Sequence, residues 1–223
     1  MPSPVLAPPT AVSTAARAEA ERHWRVGVEH SRALRWKEAE KSFARAVRAV
    51  AVEPLYWVNL GQARRKLGNL DGALEAAERA LAVDAADPLA TQLRLAARME
   101  RHQWADAVED AERIVRRPDA THQHWLDYGL ALDRAGRHRE AVSALLQALT
   151  RKLDCFEAYV VMCNAFDRLG LHAEAVECLR TGLALQPGWG QGLGGVVYHS
   201  LYACDWSRLD EDLAALHALL SQP

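Results

Sequence analysis

Five alanines, Ala39, Ala73, Ala107, Ala141 and Ala175, stand 34 residues apart in a chain of 223, with no insertion between them. Each sits in a similar phrase: Trp36-Lys-Glu-Ala-Glu, Leu70-Asp-Gly-Ala-Leu, Trp104-Ala-Asp-Ala-Val, His138-Arg-Glu-Ala-Val and His172-Ala-Glu-Ala-Val. A strict period of this length belongs to two-helix repeats that lack a core of their own and bury an apolar face against their neighbours. An alanine fixed at one place in every copy marks where two helices touch. Length alone allows one or two globular domains, but the period makes the chain a single array.

Setting the register at Ala20 divides the chain into units 20–53, 54–87, 88–121, 122–155 and 156–189. Downstream of the alanines run two further columns, Ala46, Ala80, Ile114, Ala148 and Gly182, then Val47, Leu81, Val115, Leu149 and Leu183. Upstream stand Gly27, Gly61, Leu95, Gly129 and Cys163, mostly small enough for close backbone approach. These columns resemble the tetratricopeptide repeat, most plainly in the second unit with Trp57-x-x-Leu60-Gly61, Gly68, Ala73, Ala80 and Leu81. The third unit departs from it, carrying Leu95 and His102 where glycine is expected. The resemblance runs from about residue 20 onward. It implies an all-α, right-handed superhelical solenoid of antiparallel helix pairs, whose first helices (A) line a concave groove that takes a protein or peptide.

Composition agrees with helices. Half of the residues are hydrophobic and only 7% aromatic, with alanine and leucine dominant. The formal charge of −2 lacks the basic footprint of a general nucleic-acid binder, so no nucleic-acid partner is expected. No run of apolar residues approaches the length of a membrane span, and no signal peptide is evident, so neither membrane insertion nor export is expected. Cys155, Cys163, Cys178 and Cys204 form no zinc-binding spacing; Cys163 and Cys178 fall on small or apolar columns and read as buried reduced thiols, which points to the cytoplasm.

Residues 1–13, rich in proline and alanine, read as a disordered leader, and Ser13 or Thr14 can cap a helix that starts there. Gly68, Gly136 and Gly170 supply the residue that ends helix A, while Pro54, Pro88 and Pro187 lie at unit boundaries. Residues 190–223 make a partial sixth unit. The glycines at 188, 190, 192, 194 and 195 predict a weak or adaptable helix A, and its helix B is expected from Asp205-Trp206, with Trp206 in the column of Trp36 and Trp104. Leu209, Leu213, Leu216 and Leu220 give that last helix an apolar stripe for a further domain or partner to cover.

Within the repeat class, Gln186-Pro187-Gly-Trp and the later Cys204-Asp205-Trp206-Ser-Arg-Leu-Asp210 resemble the last repeat before the catalytic region of O-GlcNAc transferases and SPINDLY-like proteins. That resemblance implies the non-catalytic recognition arm of a protein O-glycosylation system. The alternatives are a truncated portion of the transferase itself and a general assembly adaptor. The family's asparagine ladder is represented only by Asn59, with Arg25, Leu93, Asp127 and Val161 elsewhere, and these 223 residues are not expected to bind a sugar nucleotide.

No nucleophile motif, metalloprotease helix or phosphate loop appears, and neither catalysis nor a cofactor is expected. His138 and His172 share one repeat position and read as structural copies, so no metal is expected either. The candidate peptide contacts lie on helix A. Its last position reads Arg32, Lys66, Glu100, Arg134 and Arg168, a basic track for an acidic or backbone-rich peptide, with Asn59, Gln62 and Asn164 as amide contacts. The competing reading is a solvated face on which Asp133 and Asp167 neutralise the neighbouring arginines. Trp24, placed by the helical wheel away from the packing columns, is either cover for the leader or a ligand anchor.

Overall fold

The computed structural model describes residues 12–221, and everything stated below concerns these; residues 1–11 of the expected leader lie outside them. Twelve α-helices and no strand are found among the described residues. The chain divides into two compact parts, residues up to 101 and residues from 102 onward. The first holds α1 (Thr14–Arg32), α2 (Trp36–Ala49), α3 (Pro54–Lys66), α4 (Leu70–Val83) and α5 (Pro88–Glu100). The second holds α6 (Trp104–Val115), α7 (His122–Arg134), α8 (His138–Leu149), α9 (Phe156–Arg168), α10 (His172–Leu185), α11 (Gly190–Tyr202) and α12 (Leu209–Leu220).

Local chemistry explains where the helices begin. The Ser13 hydroxyl accepts from Ala16 N at 3.1 Å, Asn69 Oδ1 accepts from Gly72 N at 2.9 Å, and Asp87 Oδ1 accepts from Ala90 N at 2.6 Å. Pro54 and Pro88 occupy first-turn positions of α3 and α5, where no backbone donor is needed. Helix A ends in each pair on a left-handed residue, after which the chain turns sharply into helix B. Within each part, consecutive helices joined by such short turns and packed side by side are antiparallel.

All five repeat alanines are fully buried. Around the first of them, Ala20, Phe43, Ala46, Val47, Val50, Tyr56, Leu60 and Ala63 form the core of the first part. The second part packs Leu126, Leu145, Ala148, Met162, Cys163, Val176, Leu179 and Val196 together. Close approach fixes the upstream glycine column: a Cβ on Gly61 would lie 2.3 Å from Leu93 Cδ2, and one on Gly27 would lie 2.5 Å from the Phe43 ring. Leu93 itself, at the position of Asn59, is fully buried core.

The last pair corrects one expectation. Helix α11 runs from Gly190 to Tyr202, and three of its glycines lie against bulky neighbours: a Cβ on Gly192 would strike the Trp189 ring at 2.1 Å, and one on Gly190 would lie 2.7 Å from Leu219 Cδ2. Helix α12 begins at Leu209, not at Asp205-Trp206. Asp205 Oδ1 accepts from both Ser207 N (3.0 Å) and Ser207 Oγ (2.6 Å), and this local turn takes the residues that would have formed the first helical turn. Trp206 is therefore 61% exposed instead of filling the column of Trp36 and Trp104. Bidentate contact from Arg180 on α10 to Asp212, at 3.2 and 2.9 Å, holds α12 in place.

Candidate functional site

The five residues of the proposed basic track share one structural role, since Arg32, Lys66, Glu100, Arg134 and Arg168 are the last residues of α1, α3, α5, α7 and α9. A cation there complements the negative end of the helix dipole, a local reason for the basic preference that spacing alone does not supply. All five are exposed.

In the second part, α7 and α9 lie against each other and present Arg134 and Arg168 at equivalent ends. Neither arginine has a hydrogen bond or ion pair among the described residues. Their acidic neighbours are turned elsewhere: Asp133 Oδ1 lies 2.8 Å from His138 Nδ1, and Asp167 Oδ1 lies 3.9 Å from His172 Nδ1 and 3.7 Å from His199 Nδ1. The expectation that Asp133 and Asp167 neutralise the adjacent arginines is thus corrected. Successive residues on a helix diverge by about 100° and cannot face each other. Asn164, one turn before Arg168, is exposed.

The first part differs. Glu100 is paired with Arg65, whose Nε also donates to Gln62 Oε1 at 3.2 Å, and Asn59 Nδ2 donates to Leu55 O in its own helix at 2.7 Å. Asn59 and Gln62 are therefore already engaged, while Arg32 and Lys66 remain exposed. Trp24 is half-buried against the α1–α3 core, its ring centroid 6.4 Å from that of Tyr56. The wheel placed it on a free face because it ignored α3, the next A helix, on which this side of α1 packs.

A cluster that the sequence reading missed lies at the junction of α9, α10 and α11. His172 Nδ1 and His199 Nδ1 are 3.1 Å apart, with Asp167 beside both. Burial lowers the pKa of His199, opposed by the Asp167 carboxylate and reinforced by His172. Tyr202 packs over His172 with ring centroids 5.0 Å apart, and Tyr198 packs edge-on to His199 at 4.9 Å. The signal was present in the repeat: the column Ala63, Ala97, Ala131 and Ala165 is fully buried alanine, and its next member is His199, itself buried. The same columns that fix the fold also mark this exception. Asp167, His172 and His199 are the residues able to hold a metal ion among those described.

Thiol chemistry is muted. Cys155, Cys163 and Cys178 are buried and unpaired, and burial pushes Cys163 up to about 11 and Cys178 up to about 12. Only Cys204 is exposed. Among the described residues no helix is long and apolar enough to cross a membrane.

A family profile described as "Tetratricopeptide repeat" matches residues 27–90 and 96–154, more than half of the chain. Similar solved structures include YrrB, described as "a TPR protein with an unusual peptide-binding site", at 16% identity over 79% of this chain and 91% of that one, with a TM-score of 0.69. A MamA structure matches at 19% identity, over 75% of this chain and 90% of that one, with a TM-score of 0.69. A tetratricopeptide repeat protein from Parabacteroides merdae ATCC 43184 matches at 17% identity over 92% and 81% of the two chains, with a TM-score of 0.73. At such identities the likeness concerns the fold. No curated protein sequence matches the chain.

Proposed function

We propose, on the premise that this chain belongs to the tetratricopeptide repeat family, that it is a non-catalytic scaffold which binds a protein or extended peptide through the ends of its A helices. One observation carries the reading: Arg134 and Arg168 stand exposed at equivalent positions of adjacent A helices, while Asp133 and Asp167 are directed to histidines. Two exposed guanidiniums on neighbouring helices suit carboxylates or backbone carbonyls of an extended ligand. Asn164 adds an exposed amide beside them, and the peptide-binding description of YrrB lends the class support.

The finer reading is the recognition arm of a protein O-glycosylation system, resting on the Cys204-Asp205-Trp206 stretch. Its physical support is that α12 follows this stretch with Leu213 and Leu220 exposed, a face suited to cover by a further domain or partner. The buried unpaired thiols fit a reducing, cytoplasmic setting.

The test is a pull-down with the full chain and with an Arg134→Ala, Arg168→Ala double variant, followed by affinity measurements on the captured partner at low and moderate salt. The exposed arginines contribute little to folding, so the variant keeps its melting temperature. It loses on the order of 1–3 kcal/mol of binding per arginine, and the wild-type advantage shrinks as salt rises. Unchanged affinity for every partner would reduce these positions to solvated helix ends.

A further inference from the structure

The chain places a buried histidine where the four preceding units carry alanine. In the column Ala63, Ala97, Ala131, Ala165 and His199, the substitution brings an imidazole from α11 to the His172 imidazole at the start of α10 and the Asp167 carboxylate near the end of α9. We propose that Asp167, His172 and His199 form a binding site for a divalent first-row transition metal ion, with zinc as its representative.

The distances fit that chemistry. Zinc bonds imidazole nitrogen at about 2.0–2.1 Å, so its nitrogen ligands stand about 3.3 Å apart in a tetrahedral site and about 2.9 Å apart at a right angle. The two Nδ1 atoms are 3.1 Å apart, between those values. Two imidazole lone pairs facing each other so closely require a proton or a cation between them. Asp167 Oδ1, at 3.7 and 3.9 Å from the two nitrogens, is a few tenths of an ångström wide of the required spacing. Its side chain is 41% exposed and has no other partner among the described residues, so a small rotation closes the gap.

Support from behind points the same way. His199 Nε2 faces Cys163 Sγ at 4.0 Å on the side of the ring away from His172. The tautomer with its proton on Nε2 donates to sulfur and leaves the Nδ1 lone pair directed at the cluster, the arrangement by which outer partners orient metal-bound histidines. Two histidines and one carboxylate leave a coordination position open to water.

The preceding unit supplies an internal control. It repeats the first two groups, Asp133 and His138 at 2.8 Å, but Ala165 stands where the third ligand would be. A carboxylate–histidine pair thus recurs in these two adjacent units, and only His199 turns one of the two copies into a three-ligand set.

The experiment uses the untagged full chain, stripped with chelator and titrated with zinc by calorimetry and with cobalt by visible absorption. The expected result is one zinc per chain and a cobalt spectrum of ligand-field bands. His172→Ala and Asp167→Asn, both at partly exposed positions, keep the helical circular dichroism and each weaken zinc by about tenfold or more. His138→Ala leaves the affinity unchanged. A wild-type chain that takes up no zinc, or a folded His172→Ala variant that binds it as tightly, overturns the proposal and leaves a histidine–histidine hydrogen bond.

Discussion

Leu34, Gly68, His102, Gly136, Gly170 and Cys204 lie 34 residues apart and all take positive φ, of 56°, 78°, 59°, 79°, 70° and 54°. After the glycine at 68, Asn69 N donates back to Arg64 O at 2.9 Å, and after that at 136, Arg137 N donates to Leu132 O at 2.9 Å, which closes the end of helix A. Glycine adopts this conformation freely, whereas an L side chain pays roughly 1 kcal/mol. Leu34 is 72% exposed and has little packing to lose. Leu34→Gly should therefore stabilise the chain by about 0.5 kcal/mol, the relief of strain less the added freedom of the unfolded glycine. A urea titration checks it; a midpoint that falls would show that the leucine contributes more than its exposure implies. Three glycines made this column visible in the sequence. His102 was visible only as a departure from glycine, and Leu34 and Cys204 stayed hidden, because neither carries a composition signal for a left-handed turn. His199 shows the same limit: its chemistry depends on His172 and Asp167 lying on two other helices.

Among the elements, α12 shows how one ion pair can place a helix whose apolar face is left open. Arg180 on α10 holds both carboxylate oxygens of the buried Asp212, while Leu213 and Leu220 face outward. Asp212→Ala leaves a largely buried guanidinium without its partner, at a cost of about 2–3 kcal/mol. Hydrogen exchange should then accelerate across 209–220 and stay unchanged in α1 to α5. Equal protection of α12 in both proteins would mean that apolar packing alone seats it. The start of this helix was misplaced because periodicity carries a register forward without sensing a side-chain turn such as Asp205 to Ser207. The earlier pairs contain no such competitor at that position, and in them the apolar columns and the proline and cap residues mark the helices well.

For the whole molecule, a 34-residue register sets which face of every helix is buried. That register was readable because each unit repeats the same contact, Ala39, Ala73, Ala107, Ala141 and Ala175 all being fully buried. The division of the chain at residues 101 and 102 was not readable, since the period runs through it without a break. Binding residues were only partly readable. A helix wheel finds the exposed ends Arg134 and Arg168, but it does not show that Asp133 bonds to His138 or that Asp167 lies within 4 Å of His172 and His199. The most direct measurement is thermal unfolding of Ala141→Glu beside an exposed control, Arg139→Glu, on the same helix. Burying a carboxylate between α7 and α8 should cost about 3 kcal/mol or more and lower the melting temperature by about 5–10 °C, with the control within about 2 °C of the wild type. A melting temperature unchanged by Ala141→Glu would contradict the register.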